Sequence, residues 1–271
     1  MTRLFLLFFL LFLLLTSACA LRSAPITPPN PSTSVSFSEV SSKVPEDSPI
    51  SHELWTALLQ KYVTSEGLVS YKEFQKDQKS LEVYLEVLAN NPPQASWSSA
   101  EQLVYWINAY NAFTIQLVLQ HYPVSSIRKI GSWFQSPWKI DFISIGGKTY
   151  TLDTIEHEIL RKTFKEPRIH FALNCASYSC PVLWNKALSS KHYSKELEDS
   201  AYRFINDPKR NKIQKDSVEI SEIFKWFQED FVREESLISF LNRYSSVKIQ
   251  ETAQIQYLPY NWNLNEASGK P

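Results

Sequence analysis

The stretch SWSSAEQLVYWINAYNAFTIQLVLQHYP, residues 96–123, constrains the fold more than any other. Ser98 and Glu101 have the spacing of a capping box, and Pro123 marks the stop, since proline has no N–H to give a helix. Roughly 22 helical residues would span about 33 Å, a length that suits a central element. The middle of the run, YWINAYNAF, is apolar apart from two asparagines, which predicts burial rather than a solvated face.

Other segments arrange themselves around that helix. SHELWTALLQKYV, QKSLEVYLEVLANN, KELEDSAYRFIN, SEIFKWFQEDF and EESLISFLNRY read as further helices, the first two from apolar residues at intervals of three and four. DFISIGGKTYTLD reads as a β-hairpin, because Gly146-Gly147 tolerates the positive φ angles of a two-residue turn. Its exit, LDTIEHEILRK, starts a helix with Asp153 as cap and Glu156 at the box position. RIHFALN alternates like a half-buried strand, with Ile169, Phe171 and Leu173 on one face and His170, Ala172 and Asn174 on the other. NKIQKDSVEIS reads as a second hairpin and YLPYNWNLN as an extended tail. Helices outnumber strands without alternating with them, so the expected class is α+β: a mostly helical single domain with a small, mainly antiparallel sheet.

The N-terminus sets the compartment. MTRLFLLFFLLFLLLTSACA carries one charge at Arg3, an unbroken apolar run from Leu4 to Leu15, and then small residues, the three-part order of a secretory signal. That run is too short to span a bilayer. Two cleavage readings are open. Ala18-Cys19-Ala20 forms an A-x-A site, while TSAC resembles the bacterial lipobox, which would lipidate Cys19 and attach the chain to a membrane in the periplasm or outer membrane. Both place the mature chain where disulfides persist. Residues 21–49 are rich in Ser and Pro and read as a tether, residues 50–265 as the domain, and 266–271 as a tail.

Composition excludes several function classes. Lys+Arg and Asp+Glu number 28 each, so no global field attracts nucleic acid, and a nucleic-acid partner is not expected. With five glycines and neither G-x-G-x-x-G nor a P-loop, no nucleotide cofactor is expected. No spacing of His and Cys reads as a metal site.

The chemistry concentrates in RIHFALNCASYSCPVLWNKAL, residues 168–188. Proline favours the first helical turn and pushes the preceding residue out of the α region, so Cys180 before Pro181 reads as an N-cap. A sulfur there faces unpaired N–H groups and the positive end of a helix dipole, which lowers a thiol pKa from about 8.5 toward the nucleophilic range. His170 is the candidate base. Cys175 would lie roughly 16 Å from it along an extended strand at about 3.3 Å per residue, whereas ASYSC permits a reversal that brings Cys180 back. Asn174, on the His170 face, could orient the imidazole or donate to an oxyanion. His157 is a competing base and Cys175 the alternate thiol. On the long helix, Glu101, Tyr105, Asn108, Ala112 and Ile115 share a stripe with Asn111 on its flank. Glu101 could orient His170 as the third member of a triad. The rival account is structural: a Cys175–Cys180 disulfide, a hydrogen-bonded core histidine, asparagines that bolt the helix to loops, and a Glu101 that only caps.

EQLVYWINAYNAF, LDTIEHEILR, RIHFALNCASYSCPVL, EIFKWFQEDF and YLPYNWNLN, in that order, resemble the family catalogued as domain of unknown function 547. That family occurs in exported bacterial proteins and in plant proteins that add a leucine zipper. The polar residues of its motifs fall on Glu101, Asn108, Asn111, His157, Arg168, His170, Cys175 and Cys180, a set that looks like a thiol-hydrolase site. The resulting expectation is an envelope cysteine hydrolase or acyltransferase, with a papain- or transglutaminase-like fold, acting on a peptide or protein substrate. Cys180 would be its nucleophile, His170 its base, Glu101 its orienter, and Asn108 or Asn174 its oxyanion donor. The alternative is a non-catalytic envelope domain that binds a peptide or partner, with Cys175 and Cys180 joined.

Overall fold

The computed structural model describes residues 49–132 and 134–267. The leader, Cys19, nearly all of the tether and residues 268–271 lie outside them. The architecture is α+β, as the segment pattern implies. Helix α1 (Glu53–Tyr62), the short α2 (Tyr71–Gln75) and α3 (Gln78–Asn90) precede the central α4 (Ser99–His121). The capping box at Ser98 and Glu101 is formed, and 16 of the 23 residues of α4 are buried. Apart from the asparagines and Thr114, that surface is hydrocarbon and aromatic ring, and α2, α3 and the helical segment Thr154–Phe164 pack against it, with α1 and β1 packed on α3.

The hairpin pairs β1 (Ile143–Ile145) with β2 (Lys148–Tyr150). Gly146 and Gly147 sit at φ 58° and 73°, as a two-residue primed turn requires. A Cβ on Gly146 would also stand 2.9 Å from the Pro92 ring. The helix that follows departs from expectation. Thr154–Phe164 is a π-helix, and its first N–H is taken by the Thr151 hydroxyl (2.9 Å), while Asp153 makes no cap bond. Runs of π-helix are rare and gather at functional sites.

RIHFALN is not a strand. Pro167–Phe171 forms a 3-10 turn, opened by Pro167 and by the Glu166 carboxylate accepting from the Arg168 N–H. Its alternation does not separate core from solvent. Ile169, Ala172 and Leu173 pack into the core around α4, whereas Phe171 packs into a second core. That second core holds Phe204 of α5 (Tyr193–Ile205), Phe224 of α6 (Ile223–Trp226), Phe231 of α7 (Gln228–Phe231) and Phe240 of α8 (Leu237–Tyr244). Residues 167–180 therefore run along the seam between two hydrophobic cores.

The three-stranded sheet orders β3 (Lys212–Ile213), β4 (Ser217–Ser221) and β5 (Gln254–Leu258). β3–β4 is the second expected hairpin, and β4–β5 is parallel, with Ser217 opposite Gln254 and Ser221 opposite Leu258. After β5 the extended tail doubles back across the cysteine loop. Tyr178 N–H donates to Asn263 O (2.7 Å), Ser179 N–H to Asn261 O (3.2 Å) and Asn265 N–H to Ala176 O (3.2 Å).

Candidate functional site

A cleft of about 240 Å³ opens at the seam between the cores. Its polar lining includes Glu156, His157, His170 and both cysteine residues, and its walls include Trp138, Trp226, Phe227, Tyr260 and Trp262. The cleft groups come from the π-helix, the 3-10 turn, the cysteine loop, the α6–α7 segment and the tail, which is why no local motif announces the site.

His170 projects from the 3-10 turn, is 3 % exposed, and stacks on Phe227 with ring centroids 3.9 Å apart. Its Nε2 lies 2.8 Å from Asp230 Oδ2. Asp230 also accepts from Arg161 Nε (2.6 Å) and an Arg233 guanidinium nitrogen (3.0 Å). Burial pushes the Asp230 carboxyl up, but the bonds from His170 and Arg161 outweigh it and hold the group well below the usual carboxylate range. An ionised Asp230 only accepts, so Nε2 carries the hydrogen and Nδ1 the lone pair of the neutral ring. Burial lowers the His170 pKa despite the neighbouring carboxylate. Its Nδ1 is buried with no hydrogen-bond partner among the described residues, and Glu156 Oε1 is 3.9 Å away.

Glu156 comes from the first turn of the π-helix and accepts from Tyr110 OH of α4 at 3.2 Å. Burial raises its pKa to about 7, with Tyr110 and Arg161 pulling the other way. It is therefore a carboxyl that changes charge near neutrality. His157, one residue on, is held by Arg161 at 2.8 Å, and burial lowers its pKa.

The sulfurs of Cys175 and Cys180 are joined, with their Cα atoms 6.1 Å apart, inside the usual range for a bridge. The chain reverses between them at Ala176, which sits at φ 59°. A left-handed alanine costs on the order of 1–2 kcal/mol. It is held by Asn174 Oδ1, which accepts the Ala176 N–H at 2.9 Å, and by the bond from Asn265 to its carbonyl. Cys180 caps nothing, because residues 181–192 form no helix. Pro181 instead gives its carbonyl to Asn174 Nδ2 (2.7 Å). The dipole argument for a lowered thiol pKa therefore has no helix to act through. Nor is Cys175 set apart from His170 by an extended strand, since the turn brings both to one cleft.

The remaining sequence candidates lie elsewhere. Glu101 is committed to its capping box, with Oε2 accepting from Ser98 N at 2.6 Å, and the carboxylate on His170 is Asp230 instead. Asn108 exchanges two bonds with the Leu188 backbone (3.1 and 3.0 Å), and Asn111 joins Ala172 O (2.9 Å) to Asn174 N (2.8 Å). Asn174 spends its amide on Pro181 and Ala176, which leaves these asparagines as bolts between α4 and the loops. Arg168 pairs with Glu166 at 2.7 Å and does not line the cleft. Sequence reasoning missed Asp230, and it read Glu156 only as a capping residue. WFQEDF and IEHEIL, which carry them, were visible as motifs but not as neighbours.

Residues 94–205 match the model of the family described as "Protein of unknown function, DUF547". The chain resembles that family. No curated protein and no solved structure matches it. The DUF547 match takes in α4, the hairpin, the π-helix, the cysteine loop and α5, and so includes Tyr110, Glu156, His170 and both bridged cysteines. Asp230 and the aromatic wall from Trp226 to Trp262 lie beyond the matched segment.

Proposed function

We propose that the chain is an exported cell-envelope protein, carried to the periplasm or outer membrane and anchored by lipid on Cys19. Its domain, with Cys175 and Cys180 bridged, binds a side chain of a peptide or protein partner in the cleft. The leader's charge, apolar run and small residues support the export half of this reading. The bridge supports the binding half, because a sulfur in a disulfide is not a resting thiolate.

The kind of group bound follows from the lining. Glu156, when ionised, and the Nδ1 lone pair of His170 are acceptors 3.9 Å apart. Both ask for a donor. The walls are aromatic faces, which favour a cation above them and a hydrocarbon stem against them. At about 240 Å³ the cleft is smaller than the roughly 300–1,000 Å³ of drug-sized sites. An ammonium head on an aliphatic stem, the lysine type, meets all three conditions. Titration of intrinsic tryptophan emission with Nα-acetyl-lysine amide, against the norleucine analogue, tests the reading. The lysine compound should shift emission and lose affinity in Glu156→Gln. Equal responses to both compounds, or none to either, would remove it.

A second reading, the cysteine hydrolase or acyltransferase, keeps one observation in its favour. An imidazole fixed by Asp230, with its other nitrogen unspent, shares a cleft with both sulfurs. Catalysis by Cys180 would then require the bridge to be opened first.

A further inference from the structure

We infer that the Cys175–Cys180 bridge exchanges with an incoming thiol, whose attack falls on Cys175 and expels Cys180. The inference rests on the cleft being the functional site, though not on what the cleft binds.

Access ranks the two sulfurs. Both residues line the cleft, but Cys180 is 3 % exposed whereas Cys175 is half-buried. A thiolate needs a line of approach to the sulfur it attacks, and the Cys175 side is the more open. The buried sulfur also has a donor to receive the charge it would leave with. The Cys175 backbone N–H donates to Cys180 Sγ at 2.8 Å, a bond that strengthens when the acceptor becomes an anion. The neighbours of Cys175 Sγ are two hydroxyls, Ser177 Oγ at 3.2 Å and Tyr260 OH at 3.4 Å, and Ser177 in turn bonds Tyr260 at 3.0 Å. With the Ser177 hydrogen given to Tyr260, the Tyr260 hydroxyl is left to donate to Cys175 Sγ, so each sulfur has one donor in reach and access decides which is attacked.

The bridge is also not what shapes the loop. Asn174, Asn261, Asn263 and Asn265 hold residues 176–179 through backbone and amide hydrogen bonds that do not involve sulfur. Closing so short a loop removes only about 2 kcal/mol of chain entropy from the unfolded state. A disulfide that is spare as a staple and placed on a cleft wall is positioned for chemistry.

The balance is simple. R–SH loses its proton to water or to the Glu156 and His170 acceptors. Its sulfur bonds Cys175 Sγ as the Cys175–Cys180 bond breaks, and Cys180 leaves with the electron pair and takes up a proton. A second R–SH attacks the R sulfur of the mixed disulfide, releasing R–S–S–R and Cys175–SH. Two electrons pass to the protein, and Cys180 is left as a free thiol in the cleft with His170.

Glutathione is the probe. The folded, unreduced full chain is treated with millimolar glutathione, acid-quenched, alkylated and cut after Tyr178, which separates the two cysteines. Mass spectrometry should find one glutathionyl group on the Cys175 fragment and the alkyl group on Cys180. The adduct on Cys180, or shared equally, would overturn the assignment. So would a bridge that stays closed in the folded protein while urea-unfolded chain is reduced under the same conditions. Exchange without lysine-amide binding would spare this inference and remove the proposed ligand, and binding without exchange would do the reverse.

Discussion

Two sets of buried polar side chains meet at residues 167–180, and they are finished differently. On the α4 side, Asn108, Asn111, Asn174 and Asn265 each use both ends of the amide. Asn265 accepts from Tyr71 OH (2.7 Å) and donates to Gly67 O (3.3 Å), while the others tie backbone to backbone. On the cleft side, His170 keeps Nδ1 unspent and Glu156 sits at the edge of ionisation. Burial alone therefore says little about role. A completed bond set makes a polar residue part of the frame, and an incomplete one beside a cleft leaves capacity for a ligand or a proton.

The contrast is broken most directly by removing a bolt. Asn111→Ala strands Ala172 O and Asn174 N–H inside the core, at about 1–3 kcal/mol for each orphaned group, plus the cavity. Urea unfolding should show a loss of about 4 kcal/mol. A loss under about 1 kcal/mol would mean the bolts are replaceable, and the distinction between the two sets would go with them.

Next in size is the proton linkage of Glu156. Its folded pKa, about 7, lies above the ordinary 4.5 of a glutamate, so the folded state holds more protons than the unfolded one between those values. Stability from this group is fully present below about 4.5 and declines as pH rises through about 7. The swing is up to about 3 kcal/mol. Glu156→Gln should remove that fall, read as the wild-type-minus-variant difference in unfolding free energy at pH 5 and at pH 8, in which the opposite slope of the buried His52, His157 and His170 cancels. Asp230 does not confuse the window, because its depressed pKa costs stability only as pH falls below its ordinary 3.8. An unchanged pH slope in Glu156→Gln would deny that the cleft carboxyl titrates near neutrality. Binding of the lysine amide should strengthen over the same interval as Glu156 becomes an anion.

What sequence could and could not supply follows from range. The α4 capping box, the Gly146-Gly147 turn and the amphipathic helices are set by residues a few positions apart, and each formed where its pattern lies. Contacts across the fold leave no such trace. Asp230 reaches His170 from 60 residues away, and nothing in WFQEDF names its partner. Period-two alternation in RIHFALN misled because residues 169–174 are all buried and the expected apolar face is divided, Ile169 going to one core and Phe171 to the other. The spacing of Asp153 and Glu156 mimics a capping box, but Thr151 takes the cap and the π-helical turn carries Glu156 inward to Tyr110. Pro181 after Cys180 looks like a helix start, yet a carbonyl committed to Asn174 and irregular backbone through 192 leave no helix there.

The smallest effect is the one that separates cap from triad. Glu101 is spent on the helix cap: its carboxylate closes on Ser98 N at 2.6 Å, and the Nε2 of His170 is taken by Asp230. Glu101→Ala should cost about 1 kcal/mol, the ordinary value of a helix N-terminal bond. Imidazole titration of His170 by NMR should be unmoved in that variant and displaced in Asp230→Asn, where the carboxylate that fixes Nε2–H becomes an amide. If Glu101→Ala displaced the titration and Asp230→Asn did not, the orienting role would return to α4. The frame and the cleft would then share a residue that the geometry assigns to the frame alone.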